Sequence, residues 1–171
     1  MPIPSLLDYI DIVEGFPPVD LQGGANTGDY VSLKNYGGCL VMFHSGLGTA
    51  GQDPTLTLQQ ASDVAGTGVK SLTFTTIFVK QAATDLSGTA AWTKITQTAA
   101  NTYTEATAAE QDALWVVDVK ASDLDVANSF DCIRATVADV GGAAQPGSLH
   151  YILYSARIAR GPADKISAIG N

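Results

Sequence analysis

The segment "SLHYILYSARI", residues 148–158, restricts the fold of this chain more than any other stretch. Successive side chains of a β-strand point to opposite faces, so a strand with one face in water alternates apolar and polar residues. Here both alternating sets are apolar: Leu149, Tyr151 and Leu153 form one, and Ile152, Tyr154 and Ile158 form the other. We therefore expect the second face to be covered by the N-terminal segment, a neighbouring subunit or another protein. The run "LVMF" leads to the same expectation.

From Tyr30 onward the chain consists of short apolar runs separated by turn-rich connections. The predicted strands cover residues 39–45, 55–61, 71–80, 91–98, 113–121, 130–140 and 148–159, with a short additional strand at "TYTEA". Strands at this spacing, without the periodicity of a long helix, are typical of an antiparallel β-sandwich. The sequence therefore predicts an all-β fold and leaves a jelly-roll and an immunoglobulin-like topology open.

The alternation also predicts which residues share a face of each strand. The expected groups are Leu72, Phe74 and Phe78 in one strand, Trp92, Lys94 and Thr96 in the next, Trp115, Val117 and Val119, and finally Ile133, Ala135 and Val137. Ile95 falls on the face opposite Trp92. These assignments assume that every strand is regular along its whole length.

Residues 1–29 differ from the rest of the chain in composition. Prolines and glycines surround "SLLDYIDIVEG", and they make a long, well-packed helix improbable. We interpret residues 1–29 as an extended N-terminal arm whose apolar residues need a surface on which to dock. The β-sandwich domain then covers residues 30–160, and residues 161–171 form a C-terminal tail.

The charge of the chain argues against nucleic acid as a direct ligand. The formal net charge is −8 and the nine Lys and Arg residues are scattered, whereas phosphate binding requires clustered cations. The one local group of cations, Arg157, Arg160 and Lys165, is interpreted as a solvated chain end. The N-terminus lacks the cationic start of a signal peptide, and no apolar stretch is long enough for a transmembrane helix. We expect synthesis in the cytoplasm and no association with membranes.

The aspartates near residue 125 raise the question of a calcium site. Asp123 and Asp125 match the start of an EF-hand loop, but Ala127, Asn128 and Arg134 occupy positions that need an oxygen ligand, glycine and glutamate. A looser calcium site that uses Asp123, Asp125, Asn128 or Asp131 remains an alternative. Because Asp and Asn stabilise turns through their own backbone, we favour turns that flank the strand 130–140.

Other candidate chemistry is also weak. The carboxylates do not form an evident hydrolase pair, and no strand-to-helix elbow presents a serine nucleophile, although Ser148 and His150 share a strand face. His44 and His150 are interpreted as core or interface residues. Cys39 and Cys132 lack zinc-ligand spacing and are expected to be buried thiols, with a disulfide left open. We predict no cofactor, metal or catalytic residue.

A resemblance emerges from the order of the strand sequences. The phrases "GCLVMFHSG", "TLTLQQASDVAGTGVKSL", "WTKITQ", "LWVVDVKASDLD", "FDCIRATVADVG" and "GSLHYILYSARI" resemble small structural proteins of tailed-bacteriophage heads. The likeness spans about residues 36–158. It implies a β-sandwich on the capsid exterior that acts as decoration or cement and is oligomeric around capsid symmetry axes. It transfers no catalytic residue.

The resulting hypothesis is a non-enzymatic virion protein that binds the major capsid protein on the outer capsid surface and forms a homo-oligomer. Its predicted partner-binding residues are Leu6, Leu7, Tyr9, Ile10, Tyr151 and Tyr154. The alternative is a receptor- or carbohydrate-binding module of a virion spike or tail, which would present an exposed aromatic row that includes Trp92 or Trp115. A hydrolase is the third hypothesis.

Overall fold

The computed structural model describes residues 5–87, 90–105 and 111–170. Over these ranges the chain forms twelve strands and, as its only helices, short 3-10 turns. The strands are β1 (Asp11–Asp20), β2 (Asn26–Thr27), β3 (Val31–Ser32), β4 (Gly38–Ser45), β5 (Thr55–Ala61), β6 (Lys70–Ser71), β7 (Phe74–Ala82), β8 (Thr93–Ala100), β9 (Thr102–Thr104), β10 (Asp112–Lys120), β11 (Cys132–Val137) and β12 (Pro146–Tyr154). The 3-10 turns cover Leu6–Asp8, Leu21–Gly23, Ala121–Asp123, Val126–Asn128 and Pro162–Asp164. None of the helices in the described ranges could cross a membrane.

The strands form two antiparallel sheets, which confirms the predicted all-β sandwich. The front sheet has the order β1-β12-β4-β10-β7-β8. The back sheet has β11 and β5 at its centre, with β2 and β3 on the outer side of β11 and β6 and β9 on the outer side of β5. Among the long strands, β4 pairs with β12, β5 with β11 and β7 with β10. These pairs are nested in sequence, and β4 pairs with β10 as well.

The core lies between the two sheets and is centred on Trp115. Its side chain is completely buried and makes edge-on contacts with the rings of Phe43 and Tyr103, at centroid distances of 5.4 and 4.9 Å. The predicted inward groups on β10 and β11 are confirmed, since Val117, Val119, Ile133, Ala135 and Val137 are all buried.

A hydrogen bond across the core joins the two sheets. Tyr151 of β12 is fully buried, and its hydroxyl oxygen accepts the backbone N–H of Ala135 in β11 at 2.8 Å. Gly28 leaves room for that hydroxyl, because a Cβ atom at this position would lie 2.5 Å from it. Burial raises the pKa of Tyr151, so the phenol is neutral and can be buried with its hydrogen bond satisfied.

The predicted face of Phe78 is wrong, because β7 is not regular. The pairing of β7 with β8 shifts register between Phe74 and Thr76. Across this irregularity the inward side of β7 changes phase, since the buried residues are Phe74, Ile77 and Val79, and such a change moves every later side chain to the other face. Phe74 and Ile77 consequently point into the core, while Phe78 points outward and is 37% exposed.

The segment interpreted as an N-terminal arm is extended, but much of it belongs to the sandwich. Asp11–Asp20 form the edge strand β1, which pairs antiparallel with β12, and Phe16 and Leu21 are buried in the core. The register of β1 shifts on either side of Phe16, and Pro17 and Pro18 follow at the second shift. Proline has no backbone N–H to donate, and it is tolerated in an edge strand because no strand on the open side requires that donor. The folded domain therefore begins near Asp11 instead of residue 30.

Candidate binding surfaces

The front sheet has an apolar surface on the side that points away from the core, and we call this side the outer face. A groove in it is lined by Leu40, Met42, Phe78, Trp92, Leu114 and Val116. Ile152 and Ile12 extend the apolar area to the β1 edge, where Ile12 is 55% exposed. The outer face includes Ile152 and Tyr154 from the second apolar set predicted for residues 148–158, whereas Ile158 lies beyond the end of β12.

One row of side chains crosses the outer face from edge to edge. Directly paired residues of neighbouring strands place in this row, in order, Glu14, His150, Met42, Val116, Phe78 and Lys94. Residues paired in this way lie on the same side of a sheet. The row is therefore acidic at the β1 edge, apolar at its centre and basic at the β8 edge, and Lys80 on β7 adds a second cation near the basic end.

Several other polar groups of the outer face are paired within the chain. His44 Nε2 lies 2.8 Å from Asp112 Oδ1, and the Tyr154 hydroxyl donates to Asp118 Oδ1 at 2.6 Å. Burial, reinforced by the hydrogen bond to Asp118, raises the pKa of Tyr154. By contrast, no ion pair to Glu14, Lys80 or Lys94 forms within the described part of the chain.

A second exposed apolar surface is built from the two chain ends. The backbone N–H groups of Ala156 and Arg160 donate to the carbonyl oxygens of Tyr9 and Asp8, at 3.1 and 3.2 Å. Lys165 donates to the carbonyl of Ile10. These bonds hold the terminal segments side by side at one end of the sandwich. We call the exposed apolar side chains that they carry the terminal patch: Leu6, Leu7, Tyr9, Ile158 and Ile166.

A short turn presents the N-terminal half of the terminal patch. The Ser5 hydroxyl accepts the backbone N–H of Leu7 at 3.3 Å, and the Asp8 carboxylate accepts the backbone N–H of Ser5 at 3.1 Å. This is a reciprocal cap of a single 3-10 turn. Leu6 is 69% exposed and Leu7 is 45% exposed, so the turn presents two leucine side chains to the solvent.

The six predicted partner-binding residues fall into three groups. Leu6, Leu7 and Tyr9 are exposed on the terminal patch, and Ile10 beside them is half-buried. Tyr154 is half-buried on the outer face. The assignment of Tyr151 to a partner surface is wrong, because its side chain points inward and joins the two sheets. The alternation of β12 predicted that one of its faces would be buried, but not which one.

The aspartates around residue 125 are engaged in turns. Asp125 accepts hydrogen bonds from Lys70 and from Asn128 Nδ2, the latter at 2.9 Å, and these bonds lower the pKa of its carboxyl. The Asp123 carboxylate accepts the backbone N–H of Lys120 at 2.9 Å. Within the described residues no group of three or more His, Cys, Asp or Glu side chains is arranged to hold a metal ion. The turn interpretation accounts for both carboxylates.

The residues considered for catalysis lie on different surfaces. His44 and His150 point to the outer face instead of into the core, Cys39 is buried in the front sheet, and Cys132 is in the back sheet. Both cysteines are free thiols. Ser148 is paired with His44 in the register, and His44 contacts Asp112, but Ser148 is only 8% exposed. No hydrogen bond joins Ser148 to His44 within the described ranges, so these three residues do not form a proton relay.

We expect both thiols to be inert in the folded protein. Burial, reinforced by Asp131, raises the pKa of Cys132 to about 12, and burial also raises the pKa of Cys39. Because only the thiolate attacks, reaction with a disulfide reagent near pH 8 should be slower by on the order of 1,000-fold than for an ordinary thiol. Titration with such a reagent, with and without urea, measures this, and rapid modification of the native protein would contradict it.

Comparison with protein-family models, with curated protein sequences and with solved structures finds no match to this chain. Its function is therefore inferred from the two exposed surfaces and from the distribution of charge around them.

Proposed function

We propose that the protein is a non-enzymatic virion structural protein that binds the outer surface of a phage capsid and stabilises it. The observation that carries this proposal is the terminal patch. Backbone hydrogen bonds join the two chain ends there, and both ends expose apolar side chains to the solvent. An ordered apolar patch of this kind is characteristic of a docking site. The resemblance of the strand sequences to tailed-phage head proteins supports the capsid as the partner.

The charge around the terminal patch favours an acidic partner surface. The chain as a whole carries a net charge of −8, yet Arg157 and Arg160 are exposed in the same C-terminal segment as Ile158. Cations at the rim of an apolar contact steer association towards a negative surface. The major capsid protein is the proposed partner.

A capsid also explains how a small contact can be sufficient. Full burial of one large aliphatic side chain contributes about 1.5–3 kcal/mol, so a few leucines and isoleucines give modest affinity for each site. A shell presents many equivalent sites, and an oligomer of the protein that engages several of them multiplies the effect without new contacts. The proposed role therefore requires neither a deep pocket nor a reacting group.

Replacing Leu6, Leu7 and Tyr9 together with serine tests this role. We expect binding to shells of the encoding phage, stripped of the protein, to weaken by on the order of 100-fold or more, because the apolar contact is lost. Co-sedimentation with these shells measures binding. The matched control is Val126→Ser, since Val126 is 60% exposed on a turn outside the terminal patch. Unchanged binding by the triple variant would contradict the proposal.

Carbohydrate binding is the second candidate because two aromatic rings are exposed on the outer face. Trp92 is 53% exposed and lines the same groove as Phe78. Trp115 belongs to the core, so the predicted aromatic row contains only one of the two tryptophans. Aromatic faces of this kind can stack on sugar rings. A glycan array probed with the wild type and with Trp92→Ala separates the two functions, since only a carbohydrate-binding module gives signals that depend on Trp92.

A further inference from the structure

The outer face has a charge pattern that makes it complementary to itself. Glu14 lies on the edge strand β1, and Lys94 lies on the opposite edge strand β8, at the two ends of one row of paired residues. Met42 and Val116 occupy the centre of that row. With strands about 4.8 Å apart, the five intervals of the row separate its acidic and basic ends by about 24 Å.

We propose that the outer face is the interface of a twofold-symmetric dimer of this chain. The front sheets of two copies pack face to face, and the twofold axis exchanges the β1 edge of one copy with the β8 edge of the other. Such an interface uses the same surface on both copies, as twofold dimers do. This inference does not depend on the capsid-binding role, which uses the terminal patch.

The charges select the orientation of the two copies. An axis that exchanges the edges brings Glu14 of one copy over Lys94 or the neighbouring Lys80 of the other, and does so twice by symmetry. An axis that leaves the edges in place would bring Glu14 over Glu14 and the lysines over lysines. Like charges in contact cost free energy, whereas opposite charges at the rim of an interface attract. The end-to-end separation of charge therefore favours the first arrangement.

The apolar centre of the row forms the main contact between the two copies, and the charges at its ends set their relative orientation. In the exchanged arrangement Met42 of one copy faces Val116 of the other, and Phe78 faces His150. The twist of each sheet is accommodated when two sheets pack at about −30°, as in sandwiches. Strands that are covered on both faces have nearly continuous apolar sequences, and β4 and β12 have such sequences. A second copy provides the missing cover.

The size of the outer face indicates a reversible dimer. Six strands about 4.8 Å apart, each with three outward residues about 6.8 Å apart, present a surface of about 24 by 20 Å. The buried area is then on the order of 500 Å² for each copy and 1,000 Å² in total, which lies at the lower limit of specific interfaces. We therefore expect a weak, reversible equilibrium between monomer and dimer.

Sedimentation equilibrium of the full chain tests the dimer. We expect Val116→Asp to weaken dimerisation by at least about 100-fold, since it places a charge at the apolar centre. Glu14→Lys should weaken it by about tenfold, and Glu14→Lys combined with Lys80→Glu and Lys94→Glu should restore the wild-type constant within about threefold. Because Glu14 and Lys94 are exposed, the charge variants test the interface even if Val116→Asp unfolds the protein.

The serine variant of the terminal patch is the control that separates the two proposals. Leu6, Leu7 and Tyr9 lie outside the outer face, so their replacement should leave the dimerisation constant unchanged. A wild-type chain that stays monomeric up to about 1 mM would overturn the dimer. The dimer would also be overturned if Glu14→Lys and the compensated triple variant had the same dissociation constant. Neither result would bear on capsid binding.

Discussion

Trp115→Ala should lower the free energy of unfolding by about 3–5 kcal/mol, the largest effect expected of a single substitution in this chain. The indole is completely buried, and its contacts with Phe43 and Tyr103 join β10 to β4 and to the short strand β9. Truncation to alanine removes these contacts and leaves a cavity that a rigid sandwich core cannot fill by collapse. Since small domains are stable by about 5–15 kcal/mol, most of the stability margin would be lost.

Trp92→Ala is the matched control for this substitution. Trp92 is 53% exposed on the outer face, so its removal should change the free energy of unfolding by less than about 1 kcal/mol. Urea unfolding followed by circular dichroism measures both variants without depending on tryptophan fluorescence. Equal stabilities of the two variants would contradict the burial of Trp115 and the packing of the core around it.

Deletion of residues 1–20 should unfold the domain or leave it prone to aggregation. The deletion removes β1 with its backbone pairing to β12, and it removes the buried ring of Phe16. Loss of a buried phenylalanine alone costs about 3–5 kcal/mol, and the lost hydrogen bonds add about 1 kcal/mol each. The deletion also leaves β12, an apolar strand, as an unprotected sheet edge.

A shorter deletion, of residues 1–9, provides the contrast. It removes Leu6, Leu7 and Tyr9 from the terminal patch but leaves Asp11–Asp20 paired with β12. This chain should stay folded while it loses affinity for capsid shells. Thermal unfolding and size-exclusion chromatography of the two truncated chains distinguish these outcomes. A chain lacking residues 1–20 that unfolds at the wild-type temperature would show that β1 contributes nothing to the fold.

The two proposals assign different tasks to different surfaces. The terminal patch lies at one end of the sandwich and is proposed to contact a capsid, while the outer face of the front sheet is proposed to contact a second copy. In such an arrangement each dimer carries two terminal patches and can engage two sites of one shell. Engagement of two sites raises the effective affinity through the second, intramolecular contact.

Two of the wrong predictions come from local features of the chain. The change of phase in β7 between Phe74 and Ile77 moved Phe78 to the outer face, because every side chain beyond such an irregularity exchanges faces relative to a regular strand. The prolines of β1 suggested an extended arm outside the sandwich domain, because Pro17 and Pro18 are incompatible with a helix or a central strand. They are compatible with an edge strand, and only its pairing with β12 shows that it is one.

The sequence by itself determined the long strands from residue 39 onward, the inward groups on β10 and β11, and the need to cover two sides of the strand that begins at residue 148. These features follow from the alternation of apolar and polar residues within each strand, which does not depend on the rest of the fold. Only the tertiary structure decided that Tyr151 points inward and that Glu14 and Lys94 end one row. Such placements depend on the order and register of strands distant in sequence, and the free energy of packing the whole core sets that register.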